Sequence, residues 1–142
     1  MNTGQRLLKI FNILLKSFGK RNWWPGETPL EIIVGAVLTQ NTSWKNVQKA
    51  IQNMKNECVL DIESLYRIGT ERLSEIIRPS GFYNLKANRL KNIVNVIYNN
   101  YGASIDNMAN ISLDELRHSL LEINGIGPET ADSILLYALN KP

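Results

Sequence analysis

Apolar residues recur along this chain at helical spacing, in blocks set apart by short polar turns, and no segment shows the period of two that marks a half-buried strand. The first block runs from about Gln5 to Phe18 and ends at Gly19 with the basic pair Lys20 and Arg21. An aromatic loop, NWWPGE, follows. Thr28, Pro29 and Glu31 predict a helix start: Thr28 as cap, Pro29 in the first turn, and Glu31 reaching back to the cap N–H. Leu30, Ile33, Val34 and Val37 then share one stripe. Thr42 is the expected cap of the next helix, whose inner face is Val47, Ala50, Ile51 and Met54. Asp61 and Thr70 are cap candidates for two short helices, the second carrying Leu73, Ile76 and Ile77, and Pro79 with Gly81 breaks the chain after them. A long helix spans about Asn84 to Asn100 with Leu90, Ile93, Val94 and Ile97 inward, and Gly102 stops it. Ser112 and Glu115 predict a capping box for a helix with Leu113, Leu116 and Leu120 inside. Pro128 opens the last helix, with Ala131, Ile134, Leu135 and Ala138 as its buried stripe. The expected fold class is all-α, a mixed-angle helical bundle with short connections.

Composition narrows this picture only modestly. A chain of 142 residues, 44% hydrophobic and 20% charged, suits one compact domain or one domain and a piece of another. The single cysteine, Cys58, excludes an internal disulfide or a cysteine-built metal site within these residues, and a reducing cytoplasmic setting is the simplest expectation. No stretch has the length of a membrane span, so a membrane partner is not expected. The opening LLKIFNILLKSF carries two lysines and no cleavage site of small residues, which argues against secretion. A net charge of +3 permits a nucleic-acid partner without arguing for one.

Chemistry concentrates near the end of the chain. Asn124, Gly125, Ile126 and Gly127 turn it between two amphipathic helices. The apolar Ile126 can anchor this hairpin between the helices and leave the N–H groups at Gly127 and the start of the last helix facing out. Unpaired N–H donors and the positive end of a helix then converge on one point, which suits a phosphate. The same glycines also serve a plain helical turn. Elsewhere, Trp23, Trp24 and Trp44 flank the ends of one short helix and offer stacking faces for a base; core packing is the alternative, and one of Trp23 and Trp24 is expected in each role. Lys86, Arg89 and Lys91 read as a solvated face, with Lys86 as the best second phosphate contact.

The turn GIGPETADSILLYA resembles the helix-hairpin-helix motif. Together with NWWP at Asn22 to Pro25, GAVLTQNTSW at Gly35 to Trp44 and RPSGFYNLKANRL at Arg78 to Leu90, it resembles the endonuclease III superfamily of DNA glycosylases, closest to its 3-methyladenine DNA glycosylase branch. The resemblance covers nearly the whole chain, in the family's order and spacing. It implies double-stranded DNA containing a damaged base as partner, with main-chain amides of Gly125, Ile126, Gly127, Glu129 and Thr130 on a backbone phosphate. It also implies a monovalent cation on the carbonyls of Leu121, Ile123 and Ile126. Trp23, Trp24 and Trp44 would line the pocket of a flipped base, and Gln40 with Asn41 would enter the duplex to fill the gap.

Two departures from the family pattern shape the expected chemistry. The carboxylate that stabilises the cationic sugar lies, in the family, shortly past the hairpin; here it would fall beyond Pro142, and no aspartate of this chain takes its place. The chain is therefore expected to be an inactive fragment of a longer enzyme, with residues 1–25 belonging to an incomplete second domain and residues 26–142 forming the bundle that ends in the hairpin. The iron-sulfur cluster of many relatives uses cysteines of that further region, so the sequence leaves it open. Where strand-cutting relatives carry a Schiff-base lysine this chain has Glu129, which implies a monofunctional glycosylase that hydrolyses the bond with water. The rival readings are a non-catalytic DNA-binding module and a helical protein-interaction domain.

Overall fold

The computed structural model describes residues 1–142 as helices and turns, with no strand. In order these are α1 (Thr3–Phe18), α2 (Pro29–Leu38), α3 (Trp44–Asn56), α4 (Ile62–Arg67), α5 (Thr70–Ile76), a 3₁₀ turn (Arg78–Ser80), α6 (Tyr83–Tyr101), α7 (Ile105–Ala109), α8 (Leu113–Leu121) and α9 (Pro128–Ser133), which runs on as a π turn over Ile134–Ala138.

The most apolar segment takes the centre. Eight of the ten residues of α2 are buried, because α3, α6 and the π turn pack around it. Its entry is built as expected at Thr28, whose hydroxyl accepts from the Glu31 N–H at 3.2 Å. Glu31 reaches one residue further back than expected and accepts from the N–H of Glu27. The predicted stripes of α2, α3, α6 and the last helix all join one continuous core of 30 residues. Two short helices flank α6, and Gly102 ends it in the left-handed region at φ 62°.

Several caps differ from expectation by one residue or one bond. Ser43 rather than Thr42 caps α3, and Gly69 rather than Thr70 precedes α5 without a side-chain bond. Ser112 occupies the cap of α8 but makes no side-chain bond, and Leu113 stays 37% exposed while Leu116 and Leu120 are buried. The short α7 was not expected; its cap, Ser104, accepts from Asn107 N.

The largest departure lies on α6. Lys86 is 1% exposed and donates to the carbonyls of Leu38 at 2.8 Å and Ser80 at 2.6 Å. Lys91 donates to Leu65, Tyr66 and Ile68, all within 2.9 Å. Helix ends leave carbonyls without partners, and these lysines close the ends of α2 and α4. The solvated face expected here is turned inward.

By contrast α1 buries none of its residues, and Leu7, Leu8, Ile10, Phe11, Ile13, Leu14, Leu15 and Phe18 are all exposed. An amphipathic helix of this kind ordinarily packs its apolar side against another element.

Candidate nucleic-acid interface

The loop after α2 and the turn between α8 and α9 face each other across a cleft of about 1090 Å³. Trp23, Trp24, Gln40, Asn41 and Trp44 line one side, and the turn from Leu121 to Thr130 lines the other. Residues far apart in the chain thus share one concave surface.

The aromatic end is built on a glycine. A Cβ at Gly35 of α2 would lie 3.1 Å from Trp24 Nε1, tighter than an ordinary contact, and 3.5 Å from Trp44 Cη2, so its absence lets Trp24 in particular approach the helix. Trp24 meets Trp44 edge to face, with centroids 5.6 Å apart at 88°, an arrangement the ring quadrupoles favour. Tyr137 backs Trp24 from the π turn at 5.6 Å. Trp24 and Trp44 are half-buried against the core, while Trp23 is 64% exposed. The expected division between pocket and core is therefore replaced: both Trp23 and Trp24 line the cleft, and Trp24 also packs on the core.

The hairpin takes its shape from one buried residue and one glycine. Ile126 is 4% exposed and donates its N–H to the Ile123 carbonyl at 3.0 Å, closing the turn. Gly125 sits at φ 93°, and a Cβ there would stand 2.3 Å from Arg89 Cγ. Asn92 of α6 holds the adjoining Asn124 carbonyl at 3.0 Å. Gly127 is exposed and extended, and a Cβ on it would meet nothing within 4 Å. No backbone carbonyl accepts from the N–H groups of Gly127, Glu129 or Thr130, so three donors remain at the start of α9. The carbonyls of Leu121 and Ile126 likewise receive no backbone N–H. These free oxygens, beside that of Ile123, are hard neutral donors of the type a monovalent cation takes, and the residues fit the ion that the resemblance implies.

Gln40 bridges the two sides. Its Nε2 donates to Thr130 Oγ1 at 2.9 Å, and its Oε1 accepts from Arg89 Nη1. Asn41 follows, exposed, at φ 54°. Lys86 does not belong to this surface. Its ammonium donates inward to the Leu38 and Ser80 carbonyls, and burial, with Arg89 nearby, pushes its pKa below the usual lysine value. A phosphate contact at Lys86 is therefore replaced by an internal cap.

Arg89, Gly35 and Tyr137 carry the site without having been singled out. Arg89 reads as one charge among three on a helix face, and nothing local shows that its partner lies 49 residues away. The GAVLTQ segment carried a usable signal at Gly35, since a glycine inside a helix costs about 1 kcal/mol against alanine unless something packs on it.

A helical bundle whose last hairpin opens a row of free amides beside an aromatic cleft defines a helix-hairpin-helix protein. The sequence profile of the HhH-GPD superfamily of base excision DNA repair proteins matches residues 34–122, and the chain belongs to this family. It is 53% identical over 142 residues to a DNA repair glycosylase candidate of Methanocaldococcus jannaschii, covering 99% of this chain and 64% of that protein. It is 30% identical over 114 residues to endonuclease III of Thermotoga maritima, covering 80% and 49%. Among solved structures, the 3-methyladenine DNA glycosylase MagIII of H. pylori, bound to 1,N6-ethenoadenine, superposes with a TM-score of 0.83 at 34% identity, covering 99% of this chain and 66% of that one. A non-covalent endonuclease III–DNA complex shares the fold at a TM-score of 0.74 and 20% identity. The chain thus spans about half to two-thirds of the length of these relatives.

Proposed function

We propose that this chain provides the damage-recognition part of a monofunctional DNA N-glycosylase acting on an alkylated purine such as 3-methyladenine. The observation that carries the reading is the shared cleft, which sets an aromatic wall, a bridging amide and a row of free N–H groups on one surface. The donors of Gly127, Glu129 and Thr130 take a backbone phosphate, and the carbonyls of Leu121, Ile123 and Ile126 hold a monovalent cation beneath them. The flipped base lies among Trp23, Trp24 and Trp44, where stacking is worth about 1–3 kcal/mol per base. Gln40 and Asn41 occupy the gap it leaves. The likeness to MagIII, which binds an adenine adduct, supports a purine of that size.

Bond cleavage needs a carboxylate at the sugar. The acidic residues on the cleft are Glu122 and Glu129, both exposed on its hairpin side. The 142-residue chain is therefore expected to hold a base without releasing it, and Glu129 in place of a lysine leaves hydrolysis without strand cleavage as the reaction of the whole enzyme. Residues 1–25, with the unburied α1, belong in this reading to a second domain.

The free N–H groups of Gly127, Glu129 and Thr130 also suit a second reading, a phosphate-binding module that flips nothing. Fluorescence anisotropy with an intact duplex and one containing an abasic analogue separates the two. The glycosylase reading expects a preference for the abasic duplex of about tenfold over an intact-duplex Kd of roughly 10⁻⁴–10⁻⁶ M. Equal binding supports the module, and no binding to either duplex sinks both.

A further inference from the structure

The bridge through Gln40 joins three elements, and its parts differ in freedom. Arginine only donates, so Gln40 Oε1 must face Arg89 and Nε2 must face Thr130; the amide is held in one orientation. Arg89 sits within the long α6 with its stem packed beneath Gly125, and Thr130 is 7% exposed in α9. Neither can leave its place cheaply. Gln40 lies beyond the C-cap of α2, in a loop whose next residue is exposed and left-handed, so it is the partner that can move.

Resting on the glycosylase reading, we propose that Arg89 and Thr130 are positioning residues that set the threshold for Gln40 to enter DNA. They hold its amide withdrawn against the hairpin, and Gln40 leaves them only for a duplex whose opened base pair offers equivalent hydrogen bonds. Binding to intact DNA leaves the bridge closed; binding at a gap must open it. Arg89 supports the role in a second way. Its Nε is buried without a partner, no carboxylate pairs with its guanidinium, and the Gln40 oxygen accepts from its Nη1. Since the hairpin contributes Thr130 and rests on Arg89 through Gly125, phosphate capture and gap filling act on the same pair of residues.

Thr130→Val removes one anchor without changing charge and nearly preserves shape. It is expected to raise the ratio of abasic-duplex to intact-duplex affinity by about threefold to tenfold, the range set by one hydrogen bond. Arg89→Met should raise the same ratio, although its lost charge lowers both affinities. Side-chain amide NMR of the free protein gives an independent reading: the Gln40 NH₂ protons should exchange slowly in the wild type and at the solvent-exposed rate in Thr130→Val. An unchanged or lower ratio in Thr130→Val, or a Gln40 amide already exchanging freely in the wild type, overturns the proposal. If Gln40→Ala leaves the abasic preference intact, Gln40 is not the gap filler and the proposal fails while the glycosylase reading stands. A wild-type chain with no abasic preference removes both.

Discussion

Lys86 reaches back 48 residues to donate to the Leu38 carbonyl at 2.8 Å, sealing α2 just where its chain leaves for the loop that carries Gln40. The cleft's Gln40 side is thereby tied to α6 by one ammonium, which the Ser80 carbonyl also holds.

Lys86→Met should destabilise the protein by about 2 kcal/mol, because two buried carbonyls lose their donor while the apolar stem is kept. The pH dependence has a definite sign. The folded pKa of Lys86 lies below 10.5, chiefly through burial and then through Arg89. Between the folded value and 10.5 the unfolded chain holds the extra proton, so this group's contribution to stability rises with pH in that window. Urea unfolding should accordingly show the wild type gaining on Lys86→Met as pH approaches 10.5; a gap that narrows there contradicts this burial.

The two hairpin glycines should respond in opposite ways. Gly125→Ala meets Arg89 at 2.3 Å from a backbone at φ 93° and should cost about 2 kcal/mol or more. Gly127→Val enters open space in an extended conformation and should stay within about 1 kcal/mol of wild type. Its branched side chain nevertheless keeps a phosphate from the free amides, so duplex affinity should fall about tenfold, one lost charge-assisted contact. Thermal melts and anisotropy on both variants read the two effects separately. Full binding by folded Gly127→Val would show that phosphate does not approach this turn.

Truncating the tryptophans should separate packing from stacking. Trp23→Ala removes a side chain that is 64% exposed and should leave stability within about 0.5 kcal/mol. Trp44→Ala strips the edge contact with Trp24 and part of the core, at a cost of about 2–3 kcal/mol. Both should weaken capture of a flipped base analogue by about fivefold or more. If Trp23→Ala binds that analogue as well as the wild type, the exposed indole takes no part in the pocket.

The solvent-facing α1 yields a prediction about association. Phe11→Ser or Leu14→Ser should leave the melting temperature of the bundle unchanged, since neither side chain is buried. The same changes should reduce concentration-dependent self-association in sedimentation, because they interrupt a broad apolar surface. A marked drop in melting temperature would mean that α1 packs on the bundle in solution.

Legibility in the sequence followed the range of the interactions. Core stripes were readable because helical periodicity is local: Leu90, Ile93, Val94 and Ile97 sit where their spacing puts them. Ile126 was readable as the hairpin's anchor because it is the one apolar residue in the turn Asn124 to Gly127, and it is 4% exposed. Cap residues slipped by one where two hydroxyls stand together, as at Thr42 and Ser43, since either can accept from the first turn. The inward turn of Lys86 and Lys91 was not readable, because apart from Ser80 the carbonyls that hold them belong to helix ends 23 to 48 residues away. The bridge from Arg89 to Gln40 escaped on the same ground, although both residues stand inside segments that the family resemblance marked.

The unburied N-terminal helix also polarises the molecule. Arg6, Lys9, Lys16, Lys20 and Arg21 precede the first acidic residue, Glu27, so five of the sixteen basic side chains gather there, and the remainder of the chain carries 11 against 13 acidic ones. Seen from a distance, the bundle with the cleft is slightly negative and the N-terminal arm strongly positive. On the proposed reading a polyanion is drawn first to the arm, and the close contact falls to backbone amides, whose partial charges act only at short range. The approach to DNA should then be steep in its salt dependence and the final seating shallow, which separates finding a duplex from examining it.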